Sequence, residues 1–145
     1  NNFFSNGIQG GIVGNATGIS LGLKHKKIKD LVVVFLGDGT FGEGLVYESF
    51  NFASTNDLNI LYVVENNHYA MSTIADSHFS KTFEQKGEAF GLKAFSSNTY
   101  DVDNFYDTTN SVFDYLNKEK KDVEKLDDSN NDEIGSMAKI INQNC

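Results

Sequence analysis

LVVVFLGDGTFGEGLVYESFNFASTNDLNILYVVENNHY, residues 31–69, is the stretch that decides the fold. Both of its ends are built alike. An apolar run, LVVVFLG at 31–37 and NILYVVE at 59–65, stops at a short polar cluster, GDGT at 37–40 and ENNHY at 65–69. Each run is rich in β-branched residues and too short for a helix of its own, and LVVVFLG is apolar throughout. That predicts a central parallel strand covered on both faces. Between them EGLVYESFNFAST (43–55) predicts a helix, with Leu45, Val46, Ser49, Phe52 and Ala53 along one side. Strand, loop, helix, loop, strand is a βαβ unit, whose crossover is right-handed and whose strands run parallel. The expected class is therefore α/β, a doubly wound parallel sheet.

In such sheets ligands sit beyond the carboxyl ends of the strands. Asp38 follows the first strand and Asn67 the second, 29 residues later. Adjacent strands lie about 5 Å apart, so an Asp carboxylate and an Asn amide oxygen can converge there on one small hard cation. One carboxylate with neutral oxygens, and positions left for phosphate and water, suits Mg²⁺. Gly37 and Gly39 let the backbone approach a ligand. Gly39, Thr40 and Phe41 lead toward a helix N-terminus, whose N–H groups and dipole can hold a diphosphate without a cationic side chain. Taken singly, GDG is a common turn and ENN a strand-end cap. The pair, 26 residues apart and each closing a buried run, is more specific.

Upstream, NNFFSNGIQGGIVGNATGISLGL (1–23) carries Gly7, Gly10, Gly11, Gly14, Gly18 and Gly22, with Ile12, Ala16, Ile19 and Leu23 at helical spacing. A Gly-rich loop leading into a small-residue helix from 12 to 23 is expected, closed by the cationic KHKKIKD (24–30), a solvated helix end. Downstream, a polar loop at about 74–80 precedes a short helix in KTFEQKGEAFG (81–91) and a short strand at LKAF (92–95). DVDNFYDTTNSVFDYLNKEK (101–120) has helical spacing from Val102 to Leu116, with Asp101 as N-cap. The charged, Asn-rich 118–145 is expected to be poorly ordered, leaving 1–117 as the folded part. The core is expected in the first hundred residues.

The chain has 145 residues, 39% of them hydrophobic, and carries 20 acidic against 12 basic residues for a net charge of −8. That balance disfavours nucleic acid and anionic membrane as partners. Any anion must be held by a local device such as a metal or backbone N–H groups. One cysteine, Cys145, excludes an intrachain disulfide and a cysteine-rich metal site and fits a reducing compartment. No stretch approaches the roughly 20 apolar residues of a membrane span, so a cytoplasmic location is expected. The chain starts at Asn1 without Met and contains no proline, which suggests a fragment of a longer protein.

GDG, 26 residues, then NN resembles the thiamine diphosphate motif. The wider text of residues 37–73, with SNGIQGGIVGNATGISLGLKHKK before it, is similar to the α-subunit of the decarboxylating component of 2-oxo acid dehydrogenases, pyruvate or acetoin type. The resemblance spans about residues 3–116. It implies a thiamine diphosphate-binding type of doubly wound sheet, incomplete here, with thiamine diphosphate and Mg²⁺ as cofactors. By the same resemblance Asp38 and Asn67 match the magnesium ligands and Tyr69 adds a backbone carbonyl. Gly39 and Thr40 match diphosphate-contacting backbone, and Gly7 and Gln9 match backbone contacts to the aminopyrimidine ring. Gln9 stands where the family often has an aliphatic residue, and Asn59 where it usually has proline.

The implied activity is decarboxylation of a pyruvate-like 2-oxo acid and transfer of the acyl group to lipoamide. The implied partners are a β-subunit and a lipoyl acyltransferase, in the cytoplasm or the mitochondrial matrix. The family's segments carrying an Arg for the diphosphate, a His near the reacting carbon and a later His loop have no counterpart here, so no residue is assigned as catalytic. Glu43 and Glu48 read as structural or interface residues of the crossover helix, His68 as a loop side chain, and His25 and His78 as surface residues. A non-catalytic scaffold or degenerate paralogue, and a transketolase-like half-protein, are the other readings.

Overall fold

A computed structural model of the chain describes residues 3–74, 77 and 79–126. The elements follow in the order α1 (Gln9–His25), β1 (Val32–Gly37), a 3₁₀ turn (Asp38–Gly42), α2 (Gly44–Thr55), β2 (Ile60–Glu65), β3 (Tyr69–Ala70), β4 (Thr73–Ile74), α3 (Phe83–Glu88) and α4 (Val102–Leu126). β1 and β2 pair in parallel, from Val32 opposite Ile60 to Gly37 opposite Glu65. The βαβ unit is therefore as expected, an incomplete α/β sheet of two strands among the described residues. β3 and β4 form a short antiparallel hairpin that the polar reading of that segment did not foresee.

On one face of the sheet Val34 and Leu36 from β1 join Ile60, Tyr62 and Val64 from β2, under α1 and α2. Tyr62 ties β2 to both of these helices. Its hydroxyl lies 2.8 Å from the Thr17 hydroxyl of α1, which also donates to the Val13 carbonyl at 2.9 Å, and reaches the Ser49 carbonyl of α2 at 3.4 Å. These bonds satisfy a phenol that burial raises in pKa to about 12, partly offset by Thr17. They also rotate α1. Its buried face runs through Gly10, Val13, Ala16, Thr17 and Ser20, and Ile19, expected inside, is exposed.

α2 is rotated in the same way: Val46, Ser49, Phe50 and Ala53 are buried, whereas Leu45 and Phe52 are partly exposed. α1 and α2 pack against each other where Gly14 faces Leu45. A Cβ on Gly14 would touch the Leu45 side chain at 3.4 Å. Phe50 stacks on Tyr62 at 4.8 Å between centroids and meets Phe41 edge-on at 5.7 Å, and Phe41 meets Phe83 of α3 at 4.6 Å. Burying each such ring is worth roughly 1.5–3 kcal/mol. The last turn of α1 is exposed, as a solvated helix end should be, and from it the Lys24 ammonium donates to the Asn56 carbonyl beyond α2 at 2.6 Å.

Among the described residues the other face is covered over β2 alone. Leu61 and Val63 pack against Val112 and Leu116 of α4, with Leu31, Phe95 and Phe105 at the margin. Val33 and Phe35 of β1 lie beside them in the register and are open, Phe35 being 59% exposed. The expectation that both strands are covered twice thus fails for β1. Most of the core does lie in the first hundred residues, but α4 completes it.

α3 starts later than expected, after Thr82, whose hydroxyl accepts from the Gln85 N–H while the Gln85 side chain accepts from the Thr82 N–H. Gly91 closes that segment with φ of +79°, and a Cβ there would meet the Ser54 hydroxyl at 2.8 Å. LKAF is not a strand; Leu92 instead buries its side chain in the core, and its N–H donates to the Gly87 carbonyl of α3 at 3.1 Å. Asp101 caps α4 as expected, its carboxylate accepting from the Asn104 N–H at 3.0 Å. α4 continues through Leu126, while His78 and residues 127–145, Cys145 included, lie outside the described residues. Among the described residues no helix is long and apolar enough to cross a membrane.

Candidate cofactor site at the strand ends

β1 does not run straight into α2. The 3₁₀ turn Asp38–Gly42 stands between them, so the helix N-terminus lies beyond the GDGT cluster. Asp38 opens that turn and is 3% exposed. One carboxylate oxygen accepts from the Gly39 N–H at 2.9 Å, a local bond natural to an Asp at a turn. The other oxygen, Oδ2, is buried with no hydrogen-bond partner among the described residues. A carboxylate half satisfied in this way costs several kcal/mol unless a cation or donor joins it.

The end of β2 is shaped differently. Asn66 and Asn67 each turn an amide oxygen onto the backbone two residues ahead, Asn66 accepting from His68 N–H at 3.0 Å and Asn67 from Tyr69 N–H at 2.9 Å. These successive Asx turns reverse the chain. His68, at φ +66°, and Met71, at φ +55°, take left-handed backbone on either side of β3. The reversal lays β3 across the GDGT turn. A Cβ on Gly39 would stand 2.5 Å from Ala70 Cβ and 3.2 Å from Ala70 Cα, so only glycine admits this crossing.

The third side is the first turn of α1. Gln9 Oε1 accepts from the Gly37 N–H at 2.6 Å and from the Thr40 hydroxyl at 2.8 Å. The Gly10 N–H donates to Glu43 Oε1 at 3.2 Å, and a Cβ on Gly10 would fall 1.9 Å from the other Glu43 oxygen. Behind the turn the Tyr47 hydroxyl donates to the Phe41 carbonyl at 2.6 Å. Lys86 lies 3.8 Å from the Phe79 ring centre and 5.9 Å from those of Phe41, Tyr47 and Phe83; its burial lowers the ammonium pKa.

Of the residues expected at the site, Asp38, Gly39, Thr40 and Gln9 are brought together at the end of β1. Asn67 and Tyr69 follow the end of β2 with exposed side chains, and Gly7 lies in an exposed bend before α1. The pattern of residues did not reveal the Gln9 side-chain bonds or the close approach of Ala70. Asn66, passed over in favour of Asn67, is the buried member of the pair. Glu43 precedes α2 and clasps α1, in keeping with its structural reading. Among the described residues no three His, Cys, Asp or Glu gather as a metal cluster; the donors here are one carboxylate and neutral oxygens.

The family described as "Dehydrogenase E1 component" matches residues 2–123. The chain belongs to this family. It is 37% identical over 118 residues to the pyruvate dehydrogenase E1 component subunit alpha of Rickettsia bellii, covering 80% of this chain and 36% of that one. The Rickettsia prowazekii subunit is 38% identical over the same shares. The mitochondrial type II subunit of Ascaris suum is 44% identical over 75 residues, 51% of this chain and 19% of the relative. This E1 chain thus spans about a third of the length of its bacterial relatives.

Solved structures agree on the fold. A transketolase from Leishmania mexicana superposes with a TM-score of 0.71 over 97% of the E1 chain and 20% of its own, at 17% identity. A putative thiamin diphosphate-dependent enzyme from Mycobacterium smegmatis gives 0.59 over 92% of this chain and 22% of its own, at 18% identity.

Proposed function

We propose that this E1 chain is the part of an α-subunit that grips the diphosphate end of thiamine diphosphate through Mg²⁺. The observation that carries the reading is the buried Asp38 Oδ2 at the carboxyl end of β1, without a hydrogen-bond partner among the described residues and next to Gly39, on which Ala70 of β3 lies. A divalent cation would complete that carboxylate, with Asn67 supplying an amide oxygen and Tyr69 a main-chain carbonyl. Gly39 and Thr40 would meet the diphosphate through backbone, and Gly7 and Gln9 the aminopyrimidine ring. Thiamine diphosphate, when bound, supplies the electron sink that decarboxylation of a 2-oxo acid requires. The residues of this chain bind and orient it; none of them is assigned a proton-transfer role.

The whole protein would decarboxylate a pyruvate-like 2-oxo acid together with a β-subunit and pass the acyl group to a lipoyl acyltransferase. The names of the Rickettsia and Ascaris relatives support this, and their bacterial and mitochondrial settings support a cytoplasmic or matrix location. The test is titration calorimetry of thiamine diphosphate at fixed Mg²⁺ on the intact subunit with its β-subunit. Asp38→Asn should weaken binding by at least about 100-fold while leaving the cofactor-free melting temperature unchanged or higher, because it removes a buried half-paired charge. Undiminished binding in that variant would refute the assignment.

A further inference from the structure

We infer that the side chain of Gln9 is a positioning residue, holding the GDGT turn in the shape that presents its backbone to a diphosphate; this rests on the reading of the site just given. Gln9 Oε1 accepts from residues on both sides of Asp38, the Gly37 N–H at 2.6 Å and the Thr40 hydroxyl at 2.8 Å. One oxygen therefore spans the turn and ties it to a helix 28 residues upstream. The next residue, Gly10, reaches Glu43 just after the turn. The segment from Gly37 to Glu43 is clasped at three points by the first turn of α1.

Two consequences separate this role from packing. Gln9 is exposed, so removing its amide forfeits little apolar burial. Its bonds shape the turn without building the core. The Thr40 hydroxyl hydrogen is committed to Gln9, which leaves that oxygen an acceptor only. A diphosphate also offers only acceptors, so contact at Thr40 falls to the backbone N–H. Gly37 fits the same arrangement, since a Cβ there would lie 3.1 Å from Gln9 Oε1.

The experiment uses the intact subunit with its β-subunit and follows two quantities, calorimetric binding of thiamine diphosphate at fixed Mg²⁺ and the melting temperature without cofactor. Gln9→Leu should raise the thiamine diphosphate Kd about tenfold, the scale of one to two lost hydrogen bonds, with cofactor-free melting nearly unchanged. Gln9→Glu keeps an acceptor oxygen for both bonds but adds a negative charge, so it should weaken thiamine diphosphate while Mg²⁺ alone binds no worse than to the natural protein. Thr40→Val in the Gln9→Leu background should cost less than the sum of the two changes. Unchanged affinity in Gln9→Leu, or a loss of affinity matched by an equal loss of cofactor-free melting, overturns the inference. If the natural protein binds and Asp38→Asn does not, that failure belongs to Gln9 alone. Should the natural protein show no Mg²⁺-dependent binding, the site reading fails first and takes this inference with it.

Discussion

The two strand ends are alike in sequence character and unlike in construction. The turn that GDGT opens at the end of β1, residues 37–43, is held from outside, by Gln9 and Gly10 of α1, by Ala70 of β3 and by Tyr47 of α2. ENNHY at the end of β2 is held from within, by Asn66 and Asn67 bonding to their own following residues. The first is therefore fixed in place by three neighbouring elements, whereas the second is a local device carried on an exposed turn. A site assembled from both has one preset half and one adaptable half. That suits a metal whose carboxylate ligand is fixed and whose neutral ligands close around it.

Altering the crossing between the two ends should have the largest effect. Gly39→Ala places a methyl against Ala70 backbone as well as side chain and should destabilise by about 1–3 kcal/mol, the usual cost of overpacking. Thermal melting of Gly39→Ala with and without Ala70→Gly checks it. The second change relieves the Cβ contact and should restore part of the loss. If Gly39→Ala melts like the natural protein, the two ends do not cross as described.

Next is the framework that both ends share. Tyr62 is neutral when protonated and its pKa is raised by burial to about 12 from 10. Its contribution is thus complete below about pH 10 and is lost as pH rises from there toward 12, by roughly 1.4 kcal/mol per pH unit. Tyr62→Phe should remove that alkaline slope and cost about 1 kcal/mol at neutral pH through the lost bond to Thr17. Denaturant titrations between pH 8 and pH 11.5 measure both. An identical slope in the variant would mean that the phenol is not sealed between α1 and α2.

The smallest effects should fall on the self-held end. Asn66→Ala removes the acceptor for His68 N–H at a buried position and should cost about 1 kcal/mol. Asn67→Ala, on the exposed side, should cost roughly half a kcal/mol or less, yet lower the affinity for Mg²⁺ and thiamine diphosphate if Asn67 is a ligand. Melting and calorimetry on the pair separate the two roles. A larger stability loss at Asn67 than at Asn66 would reverse the assignment of which amide is structural.

Much of the framework was legible because it is local. β1, α2 and β2 announce themselves by short β-branched runs and a helical stretch between them, and Asp101 by its place before an apolar period. The helix faces were not legible, because small and polar residues decide them. Thr17 turns inward to meet a tyrosine 45 residues away, and Ile19 is turned out as a result. Two-residue strands such as β3 and β4 are too short to show a period. Phe35 reads as buried in an apolar run, but whether anything covers it depends on where α4 settles.

At the site the division is the same. Asp38, Gly39 and Asn67 could be picked out from their spacing at the ends of apolar runs, since a βαβ unit carries such residues to one edge wherever it folds. That Asp38 has an unsatisfied buried oxygen, that Gly39 must be glycine because Ala70 lies on it, and that Gln9 fastens the turn are matters of tertiary structure. Patterns of hydrophobicity report which residues seek burial. They do not report which distant group a single polar atom will meet, because that distance exists only once the helices have packed.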